Sequence, residues 1–353
     1  MKGFLPNRLP PFANLLLLVG LMFGTFCIAG FFIMVAGYWL FDLGAMQMGN
    51  VTQNPTAYPQ GWAFSMVSQG VLLFVGFAGA ALALASLTGY RWADYFAPHR
   101  PARAWWLLAA GALVILSVPF MSVLISWNAQ AHLPAGWHGW EVSAREMEDK
   151  AQTLTQFLTR FNSPLRFWIG VLVIAVVPAI SEELVFRGVV QRNLVEWFGS
   201  RHVGVWLAAA VFSAIHFQFF GFLPRFVLGL GLGYLYEWSK NILVPMAAHF
   251  TQNCFQLILL YWQQQHWVST DFDPDSTDSM PWPLVLLSVL LVAGLLYYLH
   301  QHLTADDTAE RLPTQLRTLS RHGISAADAA AQPPSARTIG RDGINVNRFR
   351  PDR

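Results

Sequence analysis

The sequence predicts an all-α protein, a polytopic transmembrane helix bundle of about eight spans. Of its 353 residues, 54% are hydrophobic and 12% are charged, whereas soluble domains contain about 25% charged residues. The mean hydropathy is +0.39. Several apolar runs contain no charge and reach the roughly 20 residues that a helix needs to cross about 30 Å of hydrocarbon. The chain is therefore expected to fold in a lipid bilayer.

The charge and the cysteine content exclude several classes of protein. A formal net charge of +2 does not suggest the strongly basic surface of a nucleic-acid-binding protein, so no nucleic acid is expected as a partner. The two cysteines, Cys27 and Cys254, both lie in apolar runs. The sequence therefore offers neither a disulfide framework nor a cysteine-based zinc cluster.

Eight apolar runs are predicted to span the membrane. They are Phe12–Leu40, Trp62–Leu87, Ala104–Trp127, Phe167–Glu182, Val203–Phe219, Phe226–Trp238, Ile242–Trp262 and Pro283–Leu299. The sixth run is short and rich in glycine, which favours close packing against neighbouring helices inside the bundle.

The distribution of Lys and Arg predicts that both termini are cytoplasmic, because short cytoplasmic loops retain these residues. The connection of residues 41–61 has no Lys or Arg, and neither has the acidic connection that contains Asp271 and Asp278. Basic residues instead follow the second, fourth and sixth spans: Arg91, Arg100, Arg103, Arg187, Arg192, Arg201 and Lys240. The compact chain shows no organellar targeting signal, so the bacterial cytoplasmic (inner) membrane is the expected location.

These features predict five regions along the chain. Residues 1–128 form a three-span N-terminal region, and residues 129–165 form an external loop with an amphipathic helix over Glu141–Phe161. Residues 166–262 form a four-span catalytic core, and residues 263–303 contain a second external loop and the last span. Residues 304–353 are polar and poor in aromatic residues, which predicts a disordered cytoplasmic tail.

Ionisable side chains within spans cost about 2.5 to 3.5 kcal/mol each even on insertion scales, so each one requires a reason. Three clusters occur, all within four consecutive spans. They are Glu182-Glu183 with Arg187, Phe212 with His216, and His249 with Asn253.

Helical spacing separates the roles of the two glutamates. Glu183 shares a face with Arg187 four residues later and can pair with it, whereas Glu182 points about 100° away. Measured from the nearest cytoplasmic basic residues, Arg187 among them, the polar residues lie roughly 8 to 21 Å deep. We expect Glu182, His216, His249 and Asn253 to meet in one water-accessible pocket.

Each cluster taken alone also has a structural explanation. The glutamates and Arg187 can form a solvated helix cap, a histidine can serve packing, and Asn253 can form an interhelical hydrogen bond. The occurrence of all three clusters on neighbouring spans favours a functional site.

These residues resemble the motifs of the CAAX protease and bacteriocin-processing (CPBP, or Abi) family of intramembrane endopeptidases, which includes the CAAX prenyl endopeptidase. The motifs are EExxxR at Glu182–Arg187, FxxxH at Phe212–His216 and HxxxN at His249–Asn253. The resemblance covers about residues 165 to 262.

The resemblance implies that Glu182 is a general base, that His216 assists it on the nucleophilic water, and that His249 and Asn253 hold the oxyanion. Glu183, Arg187 and Phe212 would support these groups. The implied partners are a membrane-associated protein or peptide substrate and the lipid bilayer. Prenylated proteins and bacteriocin-like peptides are both substrates in the family, and the sequence does not choose between them.

Metal dependence and function remain open at this stage. Glu182, His216 and His249 would be the ligands of a zinc ion, but the sequence lacks HExxH, and Asn253 suits an oxyanion better than zinc. A metal-free glutamate mechanism is therefore favoured, with zinc as the alternative cofactor. The competing functions are a catalytically silent membrane scaffold and a transporter that uses the polar residues as a proton or ion relay.

Overall fold

The computed structural model describes residue 5 and residues 9–96, 103–267 and 277–311, with side chains described through residue 304. No β-strand occurs among these residues. The eleven helices found there are α1 (Pro11–Phe41), α2 (Ala45–Gln53), α3 (Gly61–Leu87), α4 (Trp92–Phe96), α5 (Ala104–Ala129), α6 (His138–Leu158), α7 (Pro164–Phe198), α8 (Arg201–Ala214), α9 (Phe222–Ser239), α10 (Leu243–Gln264) and α11 (Trp282–Arg311).

Two compact units are present, residues 1–297 and residues 298–353. The first unit contains every helix through α10 and most of α11. The second is described only where α11 ends at Arg311, so the predicted tail boundary at residue 304 falls within a helix. The remainder of the predicted tail lies outside the described residues, and the five predicted regions stay predictions.

The all-helical prediction is confirmed for the described residues, and six helices are long and apolar enough to cross a membrane. These six are Pro11–Phe41, Gly61–Leu87, Ala104–Ala129, Pro164–Phe198, Phe219–Ser239 and Trp282–Thr304. The other two predicted spans correspond to α8 and α10. Helix α8 has only 14 residues, and the apolar character of α10 is interrupted by Thr251, Gln252 and Asn253. A count of eight spans therefore stays a prediction.

Helix α7 is the centre of the bundle. In its most apolar stretch 67% of the residues are buried, against 11% for α1. Val185 and Phe186 of α7 pack in one core with Leu84 of α3 and Phe212 of α8. The helix that carries the two glutamates is therefore fixed by neighbours on several sides.

The expected end of the fourth span was wrong. We expected the helix to end near Glu182 and Arg187 to mark the cytoplasmic surface, but α7 continues to Phe198. Arg187 is only 1% exposed, because it pairs with Glu183 inside the bundle. Arg187 is therefore not a surface marker, and the depths measured from it do not hold.

Helices α8 and α9 form a tight antiparallel pair that ends in the turn carrying His216. A Cβ at Gly229 would lie 3.1 Å from the Cβ of Ala209, so glycine permits the close approach. Asn128, at the end of α5, holds the turn from both sides. Its Nδ2 donates to the carbonyl of Phe219 at 3.2 Å, and its Oδ1 accepts from the amide of Leu223 at 2.8 Å.

The expected amphipathic helix is present as α6, although it runs from His138 to Leu158 rather than from Glu141 to Phe161. Glu141 fixes its first turn. One carboxylate oxygen accepts from the amide of Leu133 at 2.9 Å and the other from Arg145 at 2.8 Å. These bonds, with that of Arg145 first, hold the pKa of Glu141 at about 2, below its usual 4.5.

Candidate active site

Glu183 lies at the centre of a buried ionic cluster. Its Oε1 accepts from Arg187 Nη1 and from His249 Nδ1, both at 2.8 Å, and its side chain is fully buried. Arg187 also donates to the carbonyl of Gly229 at 3.1 Å. The expected Glu183–Arg187 pair is therefore present, and it joins α7 to α9 and α10.

Glu182 points away from this cluster, as the helical spacing predicts. Its residue exposure is 7%, and its Oε2 lies 3.9 Å from His249 Nε2. No hydrogen bond to Glu182 is found among the described residues. A buried carboxylate without a fixed partner is free to contact a molecule that enters the site.

His216 lies just after α8, where the helix ends. Its Nδ1 donates to the carbonyl of Phe212 at 2.9 Å, since a carbonyl can only accept. The neutral ring therefore carries a lone pair on Nε2. Phe217 has a φ of 52°, a left-handed conformation that is uncommon for a bulky residue and that breaks the helix directly after His216.

Phe212 contacts Arg187 and the rings of both histidines. The guanidinium of Arg187 lies 4.8 Å from its ring centroid. The rings of His216 and His249 meet it edge to face at 5.3 and 6.1 Å. One buried aromatic side chain therefore fixes the spacing of the predicted catalytic residues.

Asn253 forms an interhelical hydrogen bond, which is the structural role that the sequence analysis gave as an alternative. The turns of α7 just before Pro178 are widened, with the amide of Val177 bonded to the carbonyl of Leu172 five residues earlier, and Pro178 has no amide hydrogen to donate. Asn253 Nδ2 donates to the carbonyl of Ile174 at 3.1 Å. The amide group carries two hydrogens, so one N–H still remains for a ligand.

All four predicted catalytic residues line one cavity of about 870 Å³. Glu182 comes from α7, His216 from the turn after α8, and His249 and Asn253 from α10. The expected common pocket is therefore present, and the catalytic roles of its residues stay predictions.

The residues named for zinc do not converge as a ligand set. Within the described ranges, no group of three or more His, Cys, Asp and Glu side chains is placed to hold a metal ion. His249 Nδ1 is engaged by Glu183 and His216 Nδ1 by a carbonyl.

The sequence analysis missed the polar residues that complete the cavity, above all Arg225 in the first turn of α9. Its guanidinium donates to Gln218 Oε1, and it lines the cavity together with Glu182 and His216. A Cβ at Gly221 would lie 2.4 Å from Arg225 Nη1, so glycine leaves the room for it. The signal was an arginine at the predicted outer end of a span, where basic residues are less common.

The region around these residues matches a known protein family. Residues 164–255 match the family described as type II CAAX prenyl endopeptidase Rce1-like. This part of the chain is similar to the CAAX prenyl endopeptidases. The matched range contains all three motifs, so the resemblance seen in the sequence is confirmed, and with the apolar helices it makes the chain an integral, multi-pass membrane protein.

A curated relative matches part of the same chain. The uncharacterized protein YpbD of Bacillus subtilis (strain 168) is 38% identical over 76 residues, which cover 20% of this chain and 35% of the relative. The chain thus spans about a third of the length of that relative. No solved structure gives a significant match.

Proposed function

We propose that this protein is an intramembrane endopeptidase that hydrolyses a peptide bond of a membrane-associated protein or peptide. The observation that carries the proposal is the cavity shared by Glu182, His216, His249 and Asn253. The CAAX-protease match over residues 164–255 supports the same reaction class.

Glu182 is the general base in this proposal. It removes a proton from a water molecule whose oxygen attacks the substrate carbonyl, and His216 Nε2 accepts the second hydrogen bond of that water. The C–O bond forms, the carbonyl oxygen becomes an oxyanion, and the C–N bond then breaks as Glu182 returns its proton to the leaving amine. Because His216 Nδ1 is held by the carbonyl of Phe212, the acceptor atom stays Nε2.

His249 and Asn253 stabilise the oxyanion. Asn253 contributes the N–H that does not bond to Ile174. Since His249 Nδ1 donates to Glu183, its Nε2 can donate only when the ring is an imidazolium. Glu183, which is itself held by Arg187, fixes the orientation of the His249 ring.

The proposed mechanism uses no metal, with zinc as the alternative cofactor. We further propose eight spans, both termini in the cytoplasm, and a place in a bacterial cytoplasmic membrane. In this topology α8 and α10 cross the membrane as part of the bundle, where buried polar residues are shielded from lipid.

Cleavage of a fluorogenic peptide library by the purified protein tests the proposal. Glu182→Gln should lower kcat by at least about 100-fold, because it removes the base without changing the side-chain shape. Glu196→Gln, an exposed glutamate outside the cavity, is the matched control and should retain wild-type cleavage. Product masses identify the bond that is cut.

A strong zinc chelator forms the second arm of this experiment. Cleavage unaffected by chelator supports the metal-free mechanism, and cleavage that is lost and then restored by zinc contradicts it. Equal cleavage by wild type and Glu182→Gln would contradict the assignment of Glu182. Folded wild type without cleavage of any peptide would favour the silent scaffold.

A further inference from the structure

The catalytic cavity extends toward the end of the bundle where α5 ends and α6 begins. Its lining on α5 consists of Met121, Ile125 and Ala129, which all lie in the last turns of that helix. Six further lining residues come from α6, which follows α5 at the same end: Arg145, Glu148, Asp149, Gln152, Thr155 and Gln156. We call this end, defined by Ala129 and α6, the α6 end.

The opposite end is closed beneath the site. Gln191 of α7 is fully buried and donates to the carbonyl of Gly233 at 3.0 Å. Leu232 and Leu235 of α9 are each 1% exposed, and Tyr236 is 7% exposed. Together with Arg187, these side chains fill the space between the site and the end of α7.

A separate cavity of about 520 Å³ lies beyond this closed layer and shares no lining residue with the catalytic cavity. It is lined by Tyr95, Arg192, Glu196 and Lys240 among others. Along α7, Glu182 is about 15 Å from Arg192 and about 27 Å from Pro164. Glu182 is therefore nearer the closed end, although the cavity extends from it toward the α6 end.

The distribution of charge identifies the two ends. The connections at the closed end carry Arg91, Arg103 and Lys240, and Arg192 and Arg201 lie in the helices that border this end. At the α6 end, the connection of residues 41–61, which joins α1 and α3, has no Lys or Arg, and the longer connection that contains α6 has three, Arg145, Lys150 and Arg160. By the positive-inside bias, the closed end faces the cytoplasm and the α6 end faces outward.

We infer that the site takes its substrate from the extracytoplasmic side of the membrane, in the form of a segment that adjoins a membrane anchor. This inference rests on the proposed function and deepens it. It places access to the site on the side opposite the cytoplasmic surface from which the sequence analysis measured the depth of the polar residues.

The walls of the cavity support this class of substrate. Leu72, Leu73, Met121 and Ile125 of α3 and α5 form an apolar wall, whereas α6 supplies a polar one. A peptide with an apolar stretch followed by a polar stretch complements both walls. Such a sequence is typical of the segment where a membrane-anchored chain leaves the bilayer.

Helix α6 is placed to lie at the same membrane surface. Trp140, Met147 and Leu154 recur every seven residues on the face opposite Gln152, and their exposures are 73%, 49% and 42%. A helix with one exposed apolar stripe and one polar face suits the interface between lipid and water. Its polar face then borders the cavity while its apolar stripe contacts lipid.

Cysteine labelling in intact cells tests the side of access without requiring activity. In a variant with Cys27→Ala and Cys254→Ala, single cysteines are introduced as Gln152→Cys on α6 or Gln256→Cys in the cavity. Both positions are exposed, so a membrane-impermeant thiol reagent added outside should label each of them. Glu196→Cys, at the closed end, is the matched control and should react only after the membrane is permeabilised.

The opposite labelling pattern would overturn the inference, as would labelling of Gln256→Cys only after permeabilisation. A pair of single-span model substrates provides the second arm, identical except for the side on which the cleavable segment lies. Outward segments should be cut at least tenfold faster. Faster cleavage of inward segments contradicts the inference, whereas failure to cut either one contradicts the proposed function instead.

Discussion

Two adjacent glutamates in α7 perform different tasks because one residue step turns the side chain by about 100°. Glu183 is enclosed by Arg187 and His249 at 2.8 Å each. Glu182 has its closest charged neighbour at 3.9 Å. Because Glu182 is buried without a hydrogen-bond partner among the described residues, its carboxylate is free to act on a substrate or a water molecule. Glu183 instead has a structural role, since it is bonded to Arg187 and His249.

This difference predicts that two matched substitutions change the free energy of unfolding by very different amounts. Glu183→Gln should lower the free energy of unfolding by about 3 to 5 kcal/mol, since it leaves Arg187 buried without its counter-charge. Glu182→Gln should change it by less than about 1 kcal/mol. Denaturant unfolding in detergent measures both, and an equal loss of stability in the two variants would contradict the assignment.

Glu141 gives α6 a defined response to acid. Its pKa in the fold is about 2, below the usual 4.5, so the carboxylate stabilises the fold fully above about pH 4.5. That contribution falls as pH drops from about 4.5 toward 2, because in this range the unfolded chain binds a proton that the folded carboxylate does not, which stabilises the unfolded state.

Hydrogen exchange of the α6 backbone measures this effect. At pH 7, Glu141→Gln should increase exchange in the first turns of α6 relative to wild type. The difference should shrink below about pH 4.5 and vanish near pH 2. A difference that is unchanged across this range would show that the Glu141 carboxylate does not anchor the helix.

At the level of helices, the glycine-rich segment of α9 packs closely against its neighbours on one face only. A Cβ at Gly233 would lie 2.8 Å from Val205 Cγ1 and 2.9 Å from Gln191 Oε1, whereas one at Gly231 would meet nothing within 4 Å. Glycine is therefore required where α9 meets α7 and α8, and not at the intervening position.

Alanine substitutions at these two positions test the packing. Gly233→Ala should lower the free energy of unfolding by about 1 to 3 kcal/mol, because the added methyl group overpacks the contact. Gly231→Ala should change it by at most about 1 kcal/mol. Denaturant titration of the two variants in the same detergent decides, and a larger loss for Gly231→Ala would contradict the arrangement.

Over the whole molecule, hydropathy and helical spacing predicted the fold class and four residues of the site. They did not predict which charged residues lie at the membrane surface. The helical class, the Glu183–Arg187 pair and the common cavity follow from hydropathy and from the spacing of four residues along a helix. The end of the fourth span did not, because an arginine paired inside a bundle looks the same in sequence as one at a surface. Arg225 and the polar face of α6 join the site through tertiary packing, which no local pattern encodes.

In the proposed mechanism, Glu182 and His216 act on one water molecule in one reaction. The most direct measurement is a double-mutant cycle on kcat for a peptide that the wild type cleaves, with Glu182→Gln, His216→Gln and the double variant. If the two residues act as a unit, the double variant should be no slower than the slower single variant, within about threefold. Losses that multiply, or a wild-type rate in Glu182→Gln, would contradict the account.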